Sequence, residues 1–370
     1  MGHVVIIAGY APSLPRFRGP LIQAIAAAGH RVTALAPEAE APEGFEALDA
    51  TYESCALERT GTRPDRDLRA LLRLTRQLRR LQPDVVLGYT MKPVTYGMLA
   101  ARWARVPRRY ALVTGLGYLF IRDGSRRQRW VRRIALPLLR AGLASSSAVF
   151  VQNLDDLADL IDQHVLSASH PTHRFWGSGI DLTAYPTHLL PSGPTTFLLV
   201  ARLLRDKGVR EFVEAARIVR RHHPDARFVL VGPTDSNPAG IPAEEVHGWA
   251  AEGVVEVMGE QADVRPFLRD CTVYVLPSYR EGTPRSVLEA MATGRPVITT
   301  DAPGCRETVE HEVNGFLVPP RDADALAAAM LRYLDAPASI EAHAEASLAR
   351  VRDRFDVRKV NAAMLAAMGL

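Results

Sequence analysis

Two glutamates eight residues apart, Glu281 and Glu289, are the acidic side chains best placed to do chemistry. They follow a predicted strand at 273–277 and enter a predicted helix at 284–293. Glu281 then lies in the loop and Glu289 in the second helical turn, so both carboxylates can face one cleft. The unpaired amides and partial positive charge at the helix start suit a diphosphate or sugar hydroxyls. The other candidate ligand-binding residues of this loop are Gly282, Thr283, Arg285 and Ser286.

A second charged group, Arg202 and Lys207, comes directly after a predicted strand at 196–200. Two cations make charge-assisted hydrogen bonds with a bound anion, worth roughly 1.5–3 kcal/mol each. Such bonds matter most where negative charge builds up on the bound group. Two simpler interpretations stay open, a basic helix cap for this pair and a solvated helix face for the two glutamates.

Strand-like runs alternate with helical ones along the whole chain, which predicts parallel sheets covered by helices on both faces. A stretch rich in Gly, Pro, Ser and Thr at 177–194 interrupts the rhythm, and 370 residues exceed what one core usually supports. We predict an α/β protein of two tandem doubly wound, Rossmann-like domains that face a cleft. The domains are residues 1–180 and 181–356, and a carboxyl-terminal helix at 357–370 packs back on the first domain.

The hydrophobic periodicity places individual elements. The predicted strands are 4–8, 31–36, 84–88, 110–114, 196–200, 227–231, 254–258, 273–277 and 296–300. The predicted helices are 20–28, 68–81, 94–105, 209–222, 284–293, 322–335 and 357–367. Asp322 suits the N-cap of its helix, because its side chain can accept a hydrogen bond from a free amide of the first turn.

The segment from Glu281 to Val297 resembles the family-4 retaining glycosyltransferases, whose hallmark is Glu-x7-Glu followed by Ala-Met-Ala-x-Gly-x-Pro-Val. Arg202 and Lys207 lie in a segment similar to the family's Gly-Arg and Lys-Gly signature, with Ala201 in place of the usual glycine. The resemblance spans nearly the whole chain and is strongest from 177 to 335.

This resemblance implies the GT-B architecture and the transfer of a sugar from a nucleotide diphosphate donor, with a UDP-sugar expected. It implies that Glu281 orients the donor sugar hydroxyls and that Glu289 contacts the ribose. It also implies that Arg202 and Lys207 hold the diphosphate as it leaves. Neither a cofactor nor a metal ion is required by this mechanism.

Residues near the strand ends and the first helix of the first domain narrow the resemblance to one subgroup. The candidate acceptor residues are Gly9, Arg18, Lys92, Thr114 and Gly115, together with the neighbouring Gly117-Tyr118. Members of this subgroup extend polyprenyl-diphosphate-linked oligosaccharides, as its α-1,3-N-acetylgalactosaminyltransferases do, which implies a lipid-linked glycan acceptor. For Arg18 and Lys92 a plain surface role stays open. Many family members carry a histidine at these strand ends, where this chain has Met91-Lys92 and Thr114-Gly115. We therefore expect no mechanism that needs a histidine in the first domain.

The positive charge is concentrated in the first half of the chain. Residues 1–180 hold 24 Lys and Arg against 15 Asp and Glu, net +9, and the remaining residues hold 21 against 26, net −5. Arginines cluster at 63–80 and at 122–140, the second time among apolar side chains. Such segments bind anionic headgroups, whereas a solvated helix face is the simpler interpretation. The predicted membrane-contacting residues are Arg126, Arg127, Arg129, Trp130, Arg132 and Arg133.

Other patterns exclude functions. No Gly-x-Gly-x-x-Gly or Gly-Lys-Ser/Thr loop occurs, and no nucleic-acid-binding module is recognised, so we expect neither dinucleotide chemistry nor nucleic-acid binding. Three scattered cysteines fit a reducing compartment, and the first residues predict a strand and not a signal peptide. Together with the basic segments, these features predict a cytoplasmic protein that is peripheral at the inner face of the cytoplasmic membrane. Two alternatives remain: an enzyme with a soluble acceptor, and a non-catalytic subunit that binds glycans or lipid carriers.

Overall fold

A computed structural model of the chain describes residues 1–57, 64–116, 120, 126–235, 237 and 239–370, without the side chains of 64, 65, 126–128 and 130. The chain consists of two compact units. The first is Met1–Ser178 together with Arg358–Leu370, and the second is Gly179–Val357. This division falls two residues before the boundary predicted at 180/181.

The first unit is built on a parallel sheet. Its strands are β1 His3–Ile7, β2 Arg31–Ala36, β3 Thr51–Ser54, β4 Val85–Tyr89, β5 Arg108–Val113, β6 Ala148–Val151 and β7 Thr172–Arg174. Within the described residues they lie in the order β3-β2-β1-β4-β5-β6-β7. The chain runs outward from β1 in one direction and from β4 in the other. The carboxyl ends of β1 and β4 therefore flank the switch point at which doubly wound sheets bind ligands.

The second unit has the same design. Its strands are β8 Thr196–Val200, β9 Arg227–Val231, β10 Glu256–Gly259, β11 Val273–Leu276, β12 Val297–Thr300 and β13 Gly315–Val318. Over the described part of this unit their order is β10-β9-β8-β11-β12-β13, and all pairings are parallel. Its switch point lies between β8 and β11.

Helices cover both faces of each sheet. They are α1 Gly19–Ala27, α2 Pro64–Leu81, α3 Met98–Trp103, α4 Arg126–Leu143, α5 Leu154–Asp162, α6 Val209–Arg220, α7 Ala243–Glu252, α8 Arg265–Asp270, α9 Arg285–Ala292, α10 Ala323–Asp335, α11 Ala338–Arg354 and α12 Val357–Met368. In the first unit, Leu74 and Met98 pack on one face, and Ile22 and Met364 of α12 on the other. These apolar layers hold the strand ends, and hence the site, in place.

Several sequence-based expectations need refinement. The helix predicted at 94–105 begins as a π-helix, Pro93–Gly97, before it continues as α3. The segment predicted as a linker at 177–194 folds onto the second unit from Gly179 onward. The fully buried Arg295 holds it there, since its guanidinium donates to the Leu189 carbonyl at 3.0 Å. The N-cap is confirmed, because Asp322 Oδ1 accepts from the Ala325 backbone N–H at 2.8 Å.

Candidate active site

The switch point of the second unit brings two predicted segments together. β8 leads into a 3-10 turn, Arg205–Lys207, and β11 leads into the loop that carries Glu281. The carbonyl oxygen of Asp206 accepts hydrogen bonds from the Tyr279 backbone N–H at 2.8 Å and from Ser278 Oγ at 3.1 Å. The two segments are therefore fixed to each other through main-chain atoms.

Gly208 sets how closely these segments approach. Its φ of +69° lies in the left-handed region, and a Cβ there would lie 2.1 Å from the Pro277 carbonyl oxygen. Gly208 also ends the 3-10 turn and begins α6, so the position of Lys207 depends on it. Glycine alone combines this conformation with such a short contact at low cost.

Lys207 and Glu281 form an ion pair at this edge. Lys207 Nζ lies 2.5 Å from Glu281 Oε1, and the side chains are 20% and 15% exposed. Because little water reaches the pair, its charges are screened less than those of a surface ion pair. A diphosphate bound here would compete with the carboxylate for the ammonium group. The geometry thus offers one cation for a phosphate and one carboxylate for an adjacent polar group.

Arg202 does not join this pair. Among the described residues its guanidinium pairs with Asp235, with Nη1 2.9 Å from Oδ2, and its side chain is 56% exposed. It lies two residues beyond β8, on a turn that Gly232 approaches closely. The structure therefore brings Lys207 and Glu281 together and leaves Arg202 on an exposed ion pair.

Glu289 is buried in the second turn of α9, with 8% of its surface exposed. Its Oε1 accepts from the Tyr185 hydroxyl at 2.9 Å and from Arg285 Nε at 3.0 Å. Burial raises the pKa of this carboxyl, and Arg285 and Tyr185 oppose that rise by stabilising the anion. Neither donor binds Oε2, which has no hydrogen-bond partner in the described part of the chain. One oxygen is therefore held by the protein and the other remains available to a ligand hydroxyl.

Tyr185 is the site residue that sequence reasoning missed. It lies in the segment read as a linker, 104 positions from Glu289, and no local spacing pattern marks it. The same segment is held by a hydrogen bond from the His188 backbone N–H to the Thr293 carbonyl at 3.1 Å. Burial, and then the negative charge of Glu289, raise the pKa of Tyr185, so its hydroxyl stays protonated as a donor.

The loop before α9 is closely packed. The Glu281 backbone N–H donates to the Pro303 carbonyl at 2.9 Å. Gly304, with a φ of +80°, leaves room for the loop, since a Cβ there would lie 2.2 Å from the Glu281 carbonyl oxygen. The predicted donor-binding residues follow in order: Gly282 is buried, and Thr283, Arg285 and Ser286 are half-buried. All of them lie at the amino end of α9, between the two glutamates.

The switch point of the first unit holds the predicted acceptor residues. Gly9 follows β1, and a Cβ there would lie 2.7 Å from Oγ1 of Thr90, which follows β4. Arg18 ends a π-helix, is only 3% exposed and lies with its guanidinium carbon 5.0 Å from the Tyr89 ring centre. A plain surface role for Arg18 is therefore wrong. The hydroxyl groups of Tyr89 and Ser13 lie 2.7 Å apart and are buried beneath this edge.

The Lys92 ammonium is neutralised within the protein. Its Nζ lies 2.9 Å from Asp67 Oδ1 on α2, and the side chain is 17% exposed. Tyr96 donates to the other oxygen of Asp67 at 3.1 Å. Thr114 and Gly115 follow β5 and are half-buried, with Gly115 at a φ of +113°. The predicted Gly117-Tyr118 lies outside the described residues.

The arginine-rich stretches form helices α2 and α4, although Arg63 and Arg122 lie outside the described residues. Arg129 and Arg133 of α4 are exposed, whereas Arg132 is half-buried and donates to Gln163. Arg126, Arg127 and Trp130 belong to the helix, but their side chains are outside the description. Among the described helices, none is long and apolar enough to cross a bilayer.

Potential metal ligands and thiols are sparse. Over the described ranges, no group of three His, Cys, Asp or Glu side chains could hold a metal ion. The three cysteines are buried and unpaired. Burial raises the pKa of Cys55 to about 11 and those of Cys271 and Cys305 to about 12, so these thiols are poor nucleophiles at neutral pH.

Two family models match the chain on either side of the unit boundary. Residues 194–336 match the model described as "Glycosyl transferases group 1". Residues 16–175 match "Glycosyl transferase 4-like domain". The matches include both sides of the second unit's switch point and the β4 side of the first unit's.

Curated relatives and a solved structure agree with these matches. The N,N'-diacetylbacillosaminyl-diphospho-undecaprenol alpha-1,3-N-acetylgalactosaminyltransferase of Campylobacter jejuni is 29% identical over 334 residues, 84% of each chain. The UDP-Gal:alpha-D-GlcNAc-diphosphoundecaprenol alpha-1,3-galactosyltransferase of Escherichia coli is 24% identical over 289 residues, 73% of this chain and 71% of its own. The structure of HepE from Anabaena in complex with UDP matches with a TM-score of 0.80 at 18% identity over 99% of each chain. This last likeness confirms the predicted fold class.

Proposed function

The chain belongs to the family-4 glycosyltransferases, and from that premise we propose that it transfers a hexose or N-acetylhexosamine from a UDP-sugar to a polyprenyl-diphosphate-linked saccharide. The Lys207–Glu281 pair at the β8/β11 switch point is the observation that carries the proposal. It puts a cation and a carboxylate side by side at the amino end of α9, where free amides favour a diphosphate.

In the proposed complex, the diphosphate takes over Lys207, with Arg202 as a second cation once it leaves Asp235. Glu281, released from its ion pair, accepts hydrogen bonds from the donor sugar hydroxyls. Glu289 accepts from the ribose through Oε2 while Tyr185 and Arg285 hold Oε1. Each carboxylate then contacts a neutral hydroxyl, and the cations contact the phosphates.

The proposed reaction exchanges one bond at the anomeric carbon of the sugar. The bond from this carbon to the phosphate oxygen breaks, and a bond to the acceptor oxygen forms on the same face, with retention of configuration. The acceptor proton passes to the departing phosphate oxygen. Charge that builds on the leaving diphosphate is stabilised by Lys207 and the helix amides, so the proposal invokes neither a metal ion nor a cofactor.

The proposed acceptor follows from the relatives and the charge. Both relatives described above are named for diphospho-undecaprenol acceptors. The net charge of +9 on residues 1–180 suits a lipid diphosphate and an anionic leaflet. We accordingly propose that the protein works in the cytoplasm, peripherally at the inner face of the cytoplasmic membrane.

A transfer assay tests the proposal. Purified protein is incubated with one radiolabelled UDP-hexose or UDP-N-acetylhexosamine at a time and with undecaprenyl-diphosphate-linked N-acetylglucosamine or N,N'-diacetylbacillosamine. We expect labelled lipid product with at least one pair, unchanged by EDTA. Product with soluble glycans alone would overturn the lipid acceptor, and a strict metal requirement would overturn the metal-free course.

Vesicle flotation tests the proposed location separately. We expect binding to anionic vesicles at low salt and release at high salt, because exposed charges are screened over about 8 Å at physiological ionic strength. Changing Arg126, Arg127, Arg129, Arg132 and Arg133 together to Gln should release the protein from vesicles while UDP-sugar hydrolysis continues. A wild-type protein that ignores anionic vesicles at low salt would contradict the membrane proposal.

A further inference from the structure

Thr90 has a backbone conformation that its side chain disfavours. Its φ is +69°, and a β-branched residue in the left-handed region is a true outlier. The other described non-glycine residues with positive φ are Gln82, Arg105, His164, Glu312 and Arg321. None of them is β-branched, and the first three end helices α2, α3 and α5, where such a conformation is ordinary. Thr90 instead follows strand β4 directly.

The surrounding residues make room for this turn. Gly9 leaves space for the hydroxyl, since a Cβ at position 9 would lie 2.7 Å from Thr90 Oγ1. Gly88 leaves space for the returning chain, since a Cβ there would lie 2.9 Å from the Pro93 carbonyl oxygen. The Thr90 carbonyl accepts from the Val94 backbone N–H at 3.0 Å, an α-type turn that leads into the π-helix Pro93–Gly97. π-Helices of this kind are frequent at functional sites.

No hydrogen bond within the described part of the chain offsets this strain at the Thr90 side chain. Throughout the described residues, no group donates to or accepts from its hydroxyl, and the residue is half-buried rather than enclosed. Glycine would fit the same backbone without strain, and the chain uses glycine at other positions of positive φ, Gly208 and Gly304 among them. Strain kept in this way points to a function of the side chain.

We propose that Thr90 is an acceptor-binding residue whose hydroxyl contacts a hydroxyl group of the acceptor saccharide at the β1/β4 switch point. The inference rests on the proposed function and adds a binding residue to it. A threonine hydroxyl has one donor and two acceptor positions, which match a sugar hydroxyl in both directions. The nearby Lys92 is held by Asp67, with Nζ 2.9 Å from Oδ1, so the Thr90 hydroxyl and not the ammonium group is the polar atom without a partner among the described residues here.

Three substitutions separate the effect of the Thr90 hydroxyl from the effect of the backbone strain. Thr90→Ser and Thr90→Ala differ by one oxygen atom, and Thr90→Gly removes the strain completely. We expect Thr90→Ser to keep acceptor kcat/KM within about threefold, and Thr90→Ala and Thr90→Gly to lose about tenfold, the value of one hydrogen bond. Thr90→Gly should melt at the same temperature as wild type or higher, and all three should bind UDP as wild type does.

Each other outcome counts against the inference. If Thr90→Ala and Thr90→Ser transfer sugar at equal rates, the Thr90 hydroxyl does not contact the acceptor. A lower melting temperature for Thr90→Gly would make the side chain structural, and Gln82→Gly, at another left-handed position of the same unit, serves as the matched stability control. If wild type transfers no sugar to the lipid-linked probes, the proposed function fails and this inference fails with it. If wild type is active and Thr90→Ala is unaffected, only the inference fails.

Discussion

The two switch points of the molecule share a topology but not a chemistry. In the second unit the edge holds an ion pair, Lys207–Glu281, and its left-handed residue is a glycine, Gly208. In the first unit the left-handed residue is a threonine, Thr90, and the nearby Lys92 is neutralised by an aspartate. Each edge thus carries a lysine–carboxylate ion pair, and the two edges differ at the left-handed residue, which is a glycine in the second unit and a hydroxyl-bearing threonine in the first. The threonine hydroxyl suits a ligand that presents sugar hydroxyls.

The largest expected effect is that of Glu281→Gln. Loss of the carboxylate removes the acceptor for the donor sugar hydroxyls, so transfer should fall by about 100-fold or more, equivalent to about 2.7 kcal/mol of transition-state stabilisation. UDP affinity should equal or exceed that of wild type, because the Lys207 ammonium group loses the carboxylate that competes with the diphosphate. Initial rates and UDP titration measure the two quantities.

Glu244→Gln is the matched control for this change, since Glu244 is exposed on the first turn of α7. It should transfer at the wild-type rate. A Glu281→Gln variant that keeps more than about a tenth of the wild-type rate, a loss under about 1.4 kcal/mol, would contradict the role assigned to this carboxylate.

Alanine at Gly208 and alanine at Gly9 should lower the free energy of unfolding by different amounts. Gly208→Ala meets the backbone carbonyl of Pro277 in a left-handed conformation and should cost about 2–4 kcal/mol of unfolding free energy. Gly9→Ala meets only the Thr90 hydroxyl, which can rotate, and should cost under about 1 kcal/mol. Urea unfolding followed by circular dichroism measures both. Equal losses of unfolding free energy would mean that the two turns are equally rigid, and would contradict the difference described between the two switch points.

The smallest effect on UDP binding is expected from Tyr185→Phe. One donor to Glu289 is lost, so UDP affinity should fall about fivefold, or about 1 kcal/mol. The pKa of Glu289, already raised by burial, should rise further because its anion loses a donor. Affinity decreases as pH falls through this pKa, so the decrease should begin at a higher pH in the variant than in wild type.

Titrations of UDP from about pH 8 to about pH 5, above the ordinary Glu range, would measure this shift. Tyr52→Phe is the matched control, since it also removes one hydroxyl donor, to the Glu38 carbonyl, but in the first unit. A Tyr185→Phe profile that coincides with wild type would mean that Tyr185 does not stabilise the Glu289 anion.

How much of this could be predicted depended on how local each signal was. Nine of the thirteen described strands and the Asp322 cap were predictable because their patterns lie within a few residues. Strands β3, β6, β7 and β13 were missed; each has at most four residues, and β3 and β7 are not fully buried. The partners of the site were missed for another reason. Tyr185 meets Glu289 across 104 residues, and such pairings arise only when the fold is complete.

The backbone at the β1/β4 switch point of the first unit could not be predicted from the sequence either. The strain at Thr90 and the π-helix at Pro93–Gly97 follow from how the turn packs on Gly9 and Gly88. A periodicity argument predicts helix over that stretch and has no means to place a π-turn or a left-handed threonine.

Titration of UDP and of uridine into Lys207→Ala tests the account most directly, because its central claim is that the β8/β11 edge holds a diphosphate. We expect UDP affinity to fall by about 10- to 150-fold, the value of a charge-assisted bond of 1.5–3 kcal/mol, and uridine affinity to stay unchanged. Arg205→Ala, which removes an exposed cation from the same turn, is the control and should bind UDP as wild type does. Equal losses for UDP and uridine, or no loss for either, would contradict the claim that Lys207 binds the diphosphate.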